Sequence, residues 1–264
     1  MPSRGLACVA IYRRRVAAST ERVWENVRDW EHLPFLHAAS FRSIALEAES
    51  ASGWRARVGL HPSSEITLEL AIDSARSQYV SRTLAGPGAG TEIWTAVAGV
   101  SPTATEVEVG FWLPDVAAER AEAIGAAYTR LYERLWDEDE AMMVHRAAAL
   151  AAPRDPPPAH ERVCLGALTD LRAQGVVCFA WSGRRWRLVE LDGTLHAHAA
   201  QCPHWLGPLD VAPVADGAVR CPWHGWRFDV RTGRALDGRA ARLPDPPHVG
   251  VDAHGRVWIG TPRV

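Results

Sequence analysis

The chain contains no lysine: all 29 of its Lys+Arg residues are arginine. It therefore has no side-chain amine to form a Schiff base with pyridoxal phosphate or a carbonyl substrate, and no lysine for a P-loop. Asparagine is reduced to a single residue, Asn26. A GC-rich genome accounts for both shortages, since lysine and asparagine codons are AT-rich. Long apolar runs are missing too, with none near the roughly 18 residues a bilayer helix needs, so no membrane span is expected. Met1 to Arg15 has arginines but no apolar stretch before a small-residue cleavage site, which argues against secretion. With 31 acidic residues the formal net charge is −2, whereas a nucleic-acid binder needs a basic face. Five cysteines in a chain this long do not make a disulfide-stapled miniprotein. A reduced, cytoplasmic protein, with any clustered cysteines serving as metal ligands, is the expectation.

What is present suits one large domain or two small ones: 264 residues, 47% of them hydrophobic, are enough for a real core. Residues 152–159 include Pro153, Pro156, Pro157 and Pro158, which can neither continue a helix nor join a sheet interior, so a semi-rigid linker is predicted there. It separates a domain over 1–151 from one over 160–264. The first opens with a strand-like run, Ala7 to Val16. Ser19 and Thr20 then offer an N-cap for a helix carrying Val23, Trp24 and Val27, which Pro34 is expected to stop near Leu33. Six strand-like segments follow between Phe41 and Trp112, separated by Gly-, Ser- and Pro-rich turns, and a long helix is predicted over about Val116 to Leu150. The second domain reads as short strands and tight turns without a long helix, hence small and all-β. The fold class is α+β. The element order of the first domain resembles the helix-grip fold of the START-like, polyketide-cyclase-like superfamily. That resemblance implies a curved sheet around the last helix, with an apolar pocket between them.

The most specific motif is Cys202-Pro203-His204, then sixteen residues, then Cys221-Pro222-Trp223-His224-Gly225. Two short loops each deliver one Cys and one His, a set that suits a Cys₂His₂ zinc site or an iron–sulfur centre. With Gly207-Pro208-Leu209 after the first pair and Gly225-Trp226 after the second, the segment resembles a Rieske domain. The resemblance implies a [2Fe–2S] cluster with Cys202 and Cys221 on one iron and His204 and His224 on the other. One departure is local: many Rieske loops place glycine two residues after the first histidine, where this chain has Leu206. Respiratory-chain relatives carry an extra cysteine on each loop and a serine donor. Here the corresponding positions are Gly207, Trp223 and Trp226, which implies a low-potential, ferredoxin- or oxygenase-type cluster. Cys8, Cys164 and Cys178 are expected to be buried, inert thiols. His196, His198, His248 and His254 are read as surface or turn residues.

A second candidate centre lies in the first domain, in Glu25-Asn26-Val27-Arg28-Asp29-Trp30-Glu31-His32 and on through Pro34 to His37. Asp29 and His32, three apart, would share a helix face, and His37 could turn back past Pro34 toward His32. Two imidazoles and a carboxylate make the facial triad of non-haem Fe(II) oxygenases. The stretch resembles the segment E/D-N-x-x-D-x-x-H-x-x-x-x-H of Rieske non-haem iron oxygenases. By that resemblance His32 and His37 are ligands of a mononuclear Fe(II), and Asp139, in Trp136-Asp137-Glu138-Asp139, is the third. Asp29 would bridge a cluster histidine, His224, to His32 as an electron path, in the family usually between subunits of a ring, which implies a homo-oligomer. Asn26 would support the ligands from behind. On a helical wheel Ile124, Tyr128, Leu131, Leu135 and Met142 form the inward stripe, with Asp139 at its edge. The remainder of the acidic run Asp137 to Glu140 is read as a solvated face. The family order is Rieske first; this chain reverses it.

The expected function is a Rieske-type oxygenase component. It would be supplied by a separate NAD(P)H-dependent reductase or ferredoxin, since the chain has no dinucleotide-binding fingerprint, and would hydroxylate or demethylate a small apolar substrate. The alternatives are an electron-transfer and binding protein, a Rieske ferredoxin fused to a domain for a small hydrophobic ligand, and a cyclase-like enzyme with an accessory cluster.

Overall fold

The computed structural model describes residues 2–152 and 162–261, so the expected linker lies, beyond Ala152, outside the described residues. The chain forms two compact units, Met1–Ala147 and Ala148–Val264.

In the first unit β1 (Ala7–Val16) leads to α1 (Thr20–Arg28), a four-residue α2 (Leu33–Leu36) and the strands β2 (Phe41–Ser50), β3 (Gly53–Leu60), β4 (Glu65–Asp73), β5 (Gln78–Ala85), β6 (Glu92–Ser101) and β7 (Ala104–Leu113). A 34-residue helix, α3 (Ala118–Ala151), closes it. The strands make one antiparallel sheet in the order β1-β7-β6-β5-β4-β3-β2. This is the helix-grip arrangement. The period-two pattern of β7 shows its cause: Val107, Val109 and Phe111 are buried between exposed Glu106 and Glu108. Phe111 carries the helix, its ring 5.2 Å from Tyr128 and 4.9 Å from Tyr132. Burying such a side chain is worth about 1.5–3 kcal/mol.

Two expectations are corrected here. Ser19 does cap α1, its side chain accepting from the Arg22 N–H, but the helix ends at Arg28 rather than near Leu33. Asp29 leaves helical geometry (φ −82°, ψ 93°), so Asp29 and His32 share no helix face. Pro34, instead of stopping α1, sits in the first turn of α2, where its missing N–H costs nothing. On α3 the inward face carries Gly125, Tyr128, Tyr132, Trp136, Met142 and Met143. Tyr128 and Met142 are shared with the predicted stripe, but the mean direction of this face is rotated from it by about 70°, at 100° per residue. Asp139 therefore lies within the buried face and not at its margin.

Glu92, 5% exposed, ties the N-terminus to the sheet. Its carboxylate accepts from the Ser3 hydroxyl (2.6 Å), Trp94 Nε1 (2.7 Å) and Arg82 Nε (3.3 Å). Burial pushes its pKa up, but these donors outweigh burial and hold it below the usual carboxylate range. Its stabilising contribution is present above the ordinary glutamate pKa and is lost as pH falls through the lowered value. Glu92→Gln is expected to cost about 1–3 kcal/mol at neutral pH. Denaturant melts of both proteins should show the gap narrowing in acid.

The second unit contains β8 (Val163–Ala167), a seven-residue α4 (Leu168–Gln174), β9 (Val177–Trp181), β10 (Arg184–Leu191), β11 (Thr194–Ala199), β12 (Val214–Ala215), β13 (Ala218–Arg220), β14 (Arg227–Asp229), β15 (His248–Val251) and β16 (Arg256–Gly260). They form three small antiparallel sheets, β11-β10-β9, β12-β13-β14 and β15-β16-β8. Trp181, Trp186, Leu188, Val257 and Ile259 are buried between them. His198 is 2% exposed in β11, not a surface residue. Burial lowers its pKa, its ring hydrogen-bonding the Ala199 carbonyl. Cys8 and Cys164 are exposed rather than buried, and Cys178 is half-buried. Among the described residues no helix is long and apolar enough to cross a membrane.

Candidate metal centres

In the first unit α2 has a histidine at each end: His32 is its N-cap and His37 its C-cap. The two rings lie 5.1 Å apart at 72°, and both are buried. The Nε2 atoms of His32 and His37 lie 3.5 and 3.1 Å from Asp139 Oδ1. One ligand atom from each of the three residues falls within 4.8 Å of the others, a spacing a single metal ion could span. Each histidine turns its other nitrogen to a carboxylate. His37 Nδ1 is 2.6 Å from Glu138 Oε2. His32 Nδ1 is 3.3 Å from Asp29 Oδ2, in ion-pair range but not aligned as a hydrogen bond. Carboxylate partners of this kind fix the tautomer and orientation of metal-binding imidazoles. Asn26 donates from Nδ2 to Asp139 Oδ1 at 2.9 Å, behind the three.

Burial alone would depress His37, but the hydrogen bond and charge of Asp139, then Glu138, raise its pKa. Asp139 is pushed up by burial and, more strongly, held down by His37 and His32. The cluster opens on a cavity of about 120 Å³ whose walls include Phe41, Trp54, Leu68, Leu70, Tyr79 and Tyr132. Burial pushes both tyrosine hydroxyls upward, so they stay protonated at neutral pH.

Glu138 is the residue that sequence reasoning missed, having been folded into a solvated acidic run. The run in fact splits in two. Asp137 and Glu140, three apart, share the outer face and both pair with Arg14 of β1. Glu138 and Asp139 turn inward to the histidines. The available signal was that i, i+3 geometry together with Arg14 in the neighbouring strand.

In the second unit two loops are built alike. Leu206 N–H donates to the Cys202 carbonyl (3.0 Å) and Cys202 N–H to the Gly207 carbonyl (2.9 Å). In the other loop Gly225 N–H donates to Cys221 (3.0 Å) and Cys221 N–H to Trp226 (2.8 Å). Both loops need a left-handed residue four positions after the cysteine. Gly225 (φ 68°) adopts it freely; Leu206 adopts it at φ 65°, a strain of about 1–2 kcal/mol. The loops bring Cys202 and Cys221, each 1% exposed, against the rings of His204 and His224, whose centroids are 4.5 Å apart at 77°. The thiols share a hydrogen bond, which pushes Cys202 up and, with a further one to His224, holds Cys221 below the usual thiol range. Trp226 stacks on His204 at 4.2 Å and 6°.

These residues fit an iron–sulfur cluster: two buried thiols and two imidazoles converge, and no side chain could occupy the hollow at Gly207. A Cβ there would stand 2.8 Å from Cys221 Sγ and 3.1 Å from the Trp223 ring. Gly207→Ala is expected to destabilise this unit by about 1–3 kcal/mol through overpacking. Iron and sulfide analysis should show incomplete clusters in that protein.

The model of the Rieske [2Fe–2S] domain matches residues 161–247. The ferredoxin component of the naphthalene 1,2-dioxygenase system of Pseudomonas putida is 31% identical over 70 residues, 26% of this chain and 67% of that protein. Aminopyrrolnitrin oxygenase of Pseudomonas fluorescens is 28% identical over 102 residues, 34% of this chain and 26% of that one. The chain spans between 8% and 26% of the length of the first curated relatives it matches. Among solved structures, the Zhui aromatase/cyclase from Streptomyces sp. R1128 aligns at 15% identity over 55% of this chain and 98% of that one, with a TM-score of 0.48. The chain is thus a Rieske [2Fe–2S] protein, its membership in that family carried by the second unit.

Proposed function

We propose that the protein is the oxygenase component of a Rieske-type system, an oxidoreductase acting on a small apolar substrate. The observation that supports it most is the cluster of His32, His37 and Asp139, with Glu138 and Asp29 behind the histidines, on the wall of an apolar cavity. In this reading Cys202, Cys221, His204 and His224 hold the [2Fe–2S] cluster, and His32, His37 and Asp139 hold a mononuclear Fe(II). When bound, that iron would supply O₂ activation, fed one electron at a time from the cluster.

The chain's own residues prepare the site. Glu138 accepts the Nδ1 proton of His37 and leaves Nε2 as the metal-facing lone pair. Asn26 fixes the Asp139 carboxylate through Oδ1. Asp29, beside His32, is the residue through which electrons would reach that end of the site. Phe41, Trp54, Leu68 and Leu70 exclude water and orient an apolar substrate. A separate NAD(P)H-dependent reductase or ferredoxin would supply the electrons in the cytoplasm.

The second reading, a Rieske ferredoxin fused to a ligand-binding domain, makes the same cluster but no third iron. Metal analysis of the anaerobically reconstituted protein separates the two. Three irons per chain and substrate-dependent O₂ uptake support the oxygenase; two irons per chain would sink it.

A further inference from the structure

The second cluster loop is flanked by a basic sheet face. Arg220, just before Cys221, lies directly across from Arg227, just after Trp226. The next segment continues the sheet: Leu236 N–H donates to the Arg227 carbonyl, and Phe228 lies opposite Ala235. One row further, Arg234 lies opposite Arg242. Strand alternation sends Val219 and Phe228 inward, both fully buried, and leaves Arg220, Arg227, Arg234 and Leu236 exposed. Like charges directly opposite each other destabilise a sheet, and here two registers set arginine against arginine.

Neutralisation on this face is incomplete, although Arg242 pairs with Asp245 at 2.9 Å. Asp229 is engaged by the Thr232 N–H and hydroxyl. Arg227 and Arg234 form no ion pair among the described residues. The imbalance is local to this half of the chain: Ala148–Val264 carries 14 arginines against 11 carboxylates, whereas Met1–Ala147 carries 15 against 20. Leu236, 49% exposed, stands beside the arginines as an apolar anchor.

The same face adjoins a route to the cluster. Trp226, next to Arg227, stacks on His204, and the Arg239 guanidinium lies 4.7 Å from the Trp226 ring centroid. The two histidines differ in access: His224 is 1% exposed, while His204 is only partly buried. Electron tunnelling falls steeply with distance, so an external donor is served best on the His204–Trp226 side.

We propose that the face formed by Arg220, Arg227, Arg234 and Leu236 is the docking surface for the electron donor, an acidic one-electron carrier protein. The proposal rests on the electron-receiving half of the function given above and is independent of the mononuclear iron. The transfer oxidises the donor's reduced iron–sulfur or flavin centre by one electron and reduces the Rieske cluster by one, with no bond made or broken. Contacts of this type are small and weak, and charge steering sets their rate more than their affinity.

The test is stopped-flow reduction of the full-length, cluster-loaded protein by a reduced, acidic plant-type [2Fe–2S] ferredoxin, with dithionite as a small reductant for comparison. For the doubly reversed protein, Arg227→Glu with Arg234→Glu, the second-order rate at low salt is expected to fall about tenfold or more. Its salt dependence should flatten, while the dithionite rate and the cluster spectrum stay unchanged. Leu236→Ser should lower the rate without altering the salt dependence. A reversed-charge protein that the ferredoxin reduces at the wild-type rate overturns the proposal. So does a reversal that leaves the rate alone but changes the sedimentation coefficient, which would make the face a contact between copies of this chain. Iron content, which decides the oxygenase reading, is untouched by either result.

Discussion

Asp139→Ala protein is expected to hold two irons per chain against the three expected of the wild type, with the Rieske absorption unchanged and substrate-dependent O₂ uptake abolished. Asp139 offers the single carboxylate oxygen toward which both histidines point, at 3.1 and 3.5 Å. Without it two neutral imidazoles remain, and the loss should exceed the roughly 100-fold upper cost of removing a supporting partner. Asn26 Nδ2 also loses its acceptor, so about 1–3 kcal/mol of stability should go with it. Asp139→Asn keeps the volume and an acceptor, which separates metal loss from unfolding. A third iron that survives in both variants would remove Asp139 from the site.

The metal-free protein carries a pH signature of the same contacts. The raised His37 pKa means that its stabilising contribution is present below the ordinary histidine pKa and is lost as pH rises through the raised value. The lowered Asp139 pKa works the other way, its contribution being present above the ordinary aspartate pKa and lost as pH falls through the lowered value. Metal requires neutral His37, so iron affinity should weaken as pH falls through the raised histidine value.

The cluster loops were legible in the sequence because their chemistry is local: each ligand pair sits within three or four residues, and the loop hydrogen bonds close over five. Even the departure at Leu206 could be seen, although its meaning, a left-handed position filled without glycine, needed the backbone. The first centre was legible only as a text pattern. Its geometry depends on where α1 stops, and Pro34 misled because proline both ends helices and begins them. The phase of α3 misled for another reason. Counting Ile124, Leu131 and Leu135 as inward beside Tyr128 ignores that Tyr132 and Trp136 carry more apolar surface to the sheet. A wheel weighted by buried area would have placed Asp139 inside. The partner of Glu138 could not be found locally, because it comes from a histidine 101 residues away.

Glu138→Gln tests whether that long-range contact positions the metal ligand. The carboxylate can only accept, so it holds the His37 proton on Nδ1 and presents Nε2 to Asp139 and the metal. A glutamine can turn its amide to donate to Nδ1, which permits the tautomer with its proton on Nε2, where the metal must bind. The expected result is a 10–100-fold loss of iron affinity, or about 1.4–2.7 kcal/mol. It would be read as the chelator concentration that strips the third iron while leaving the cluster intact. Glu140→Gln is the matched control on the outer face of the same helix: its carboxylate pairs with Arg14 and accepts from the Ala17 N–H. That change should lower thermal stability and leave the iron affinity where it was. If both substitutions strip iron equally, Glu138 acts through the stability of α3. If only Glu138→Gln does, the charge beside His37 is what keeps its imidazole in the binding tautomer.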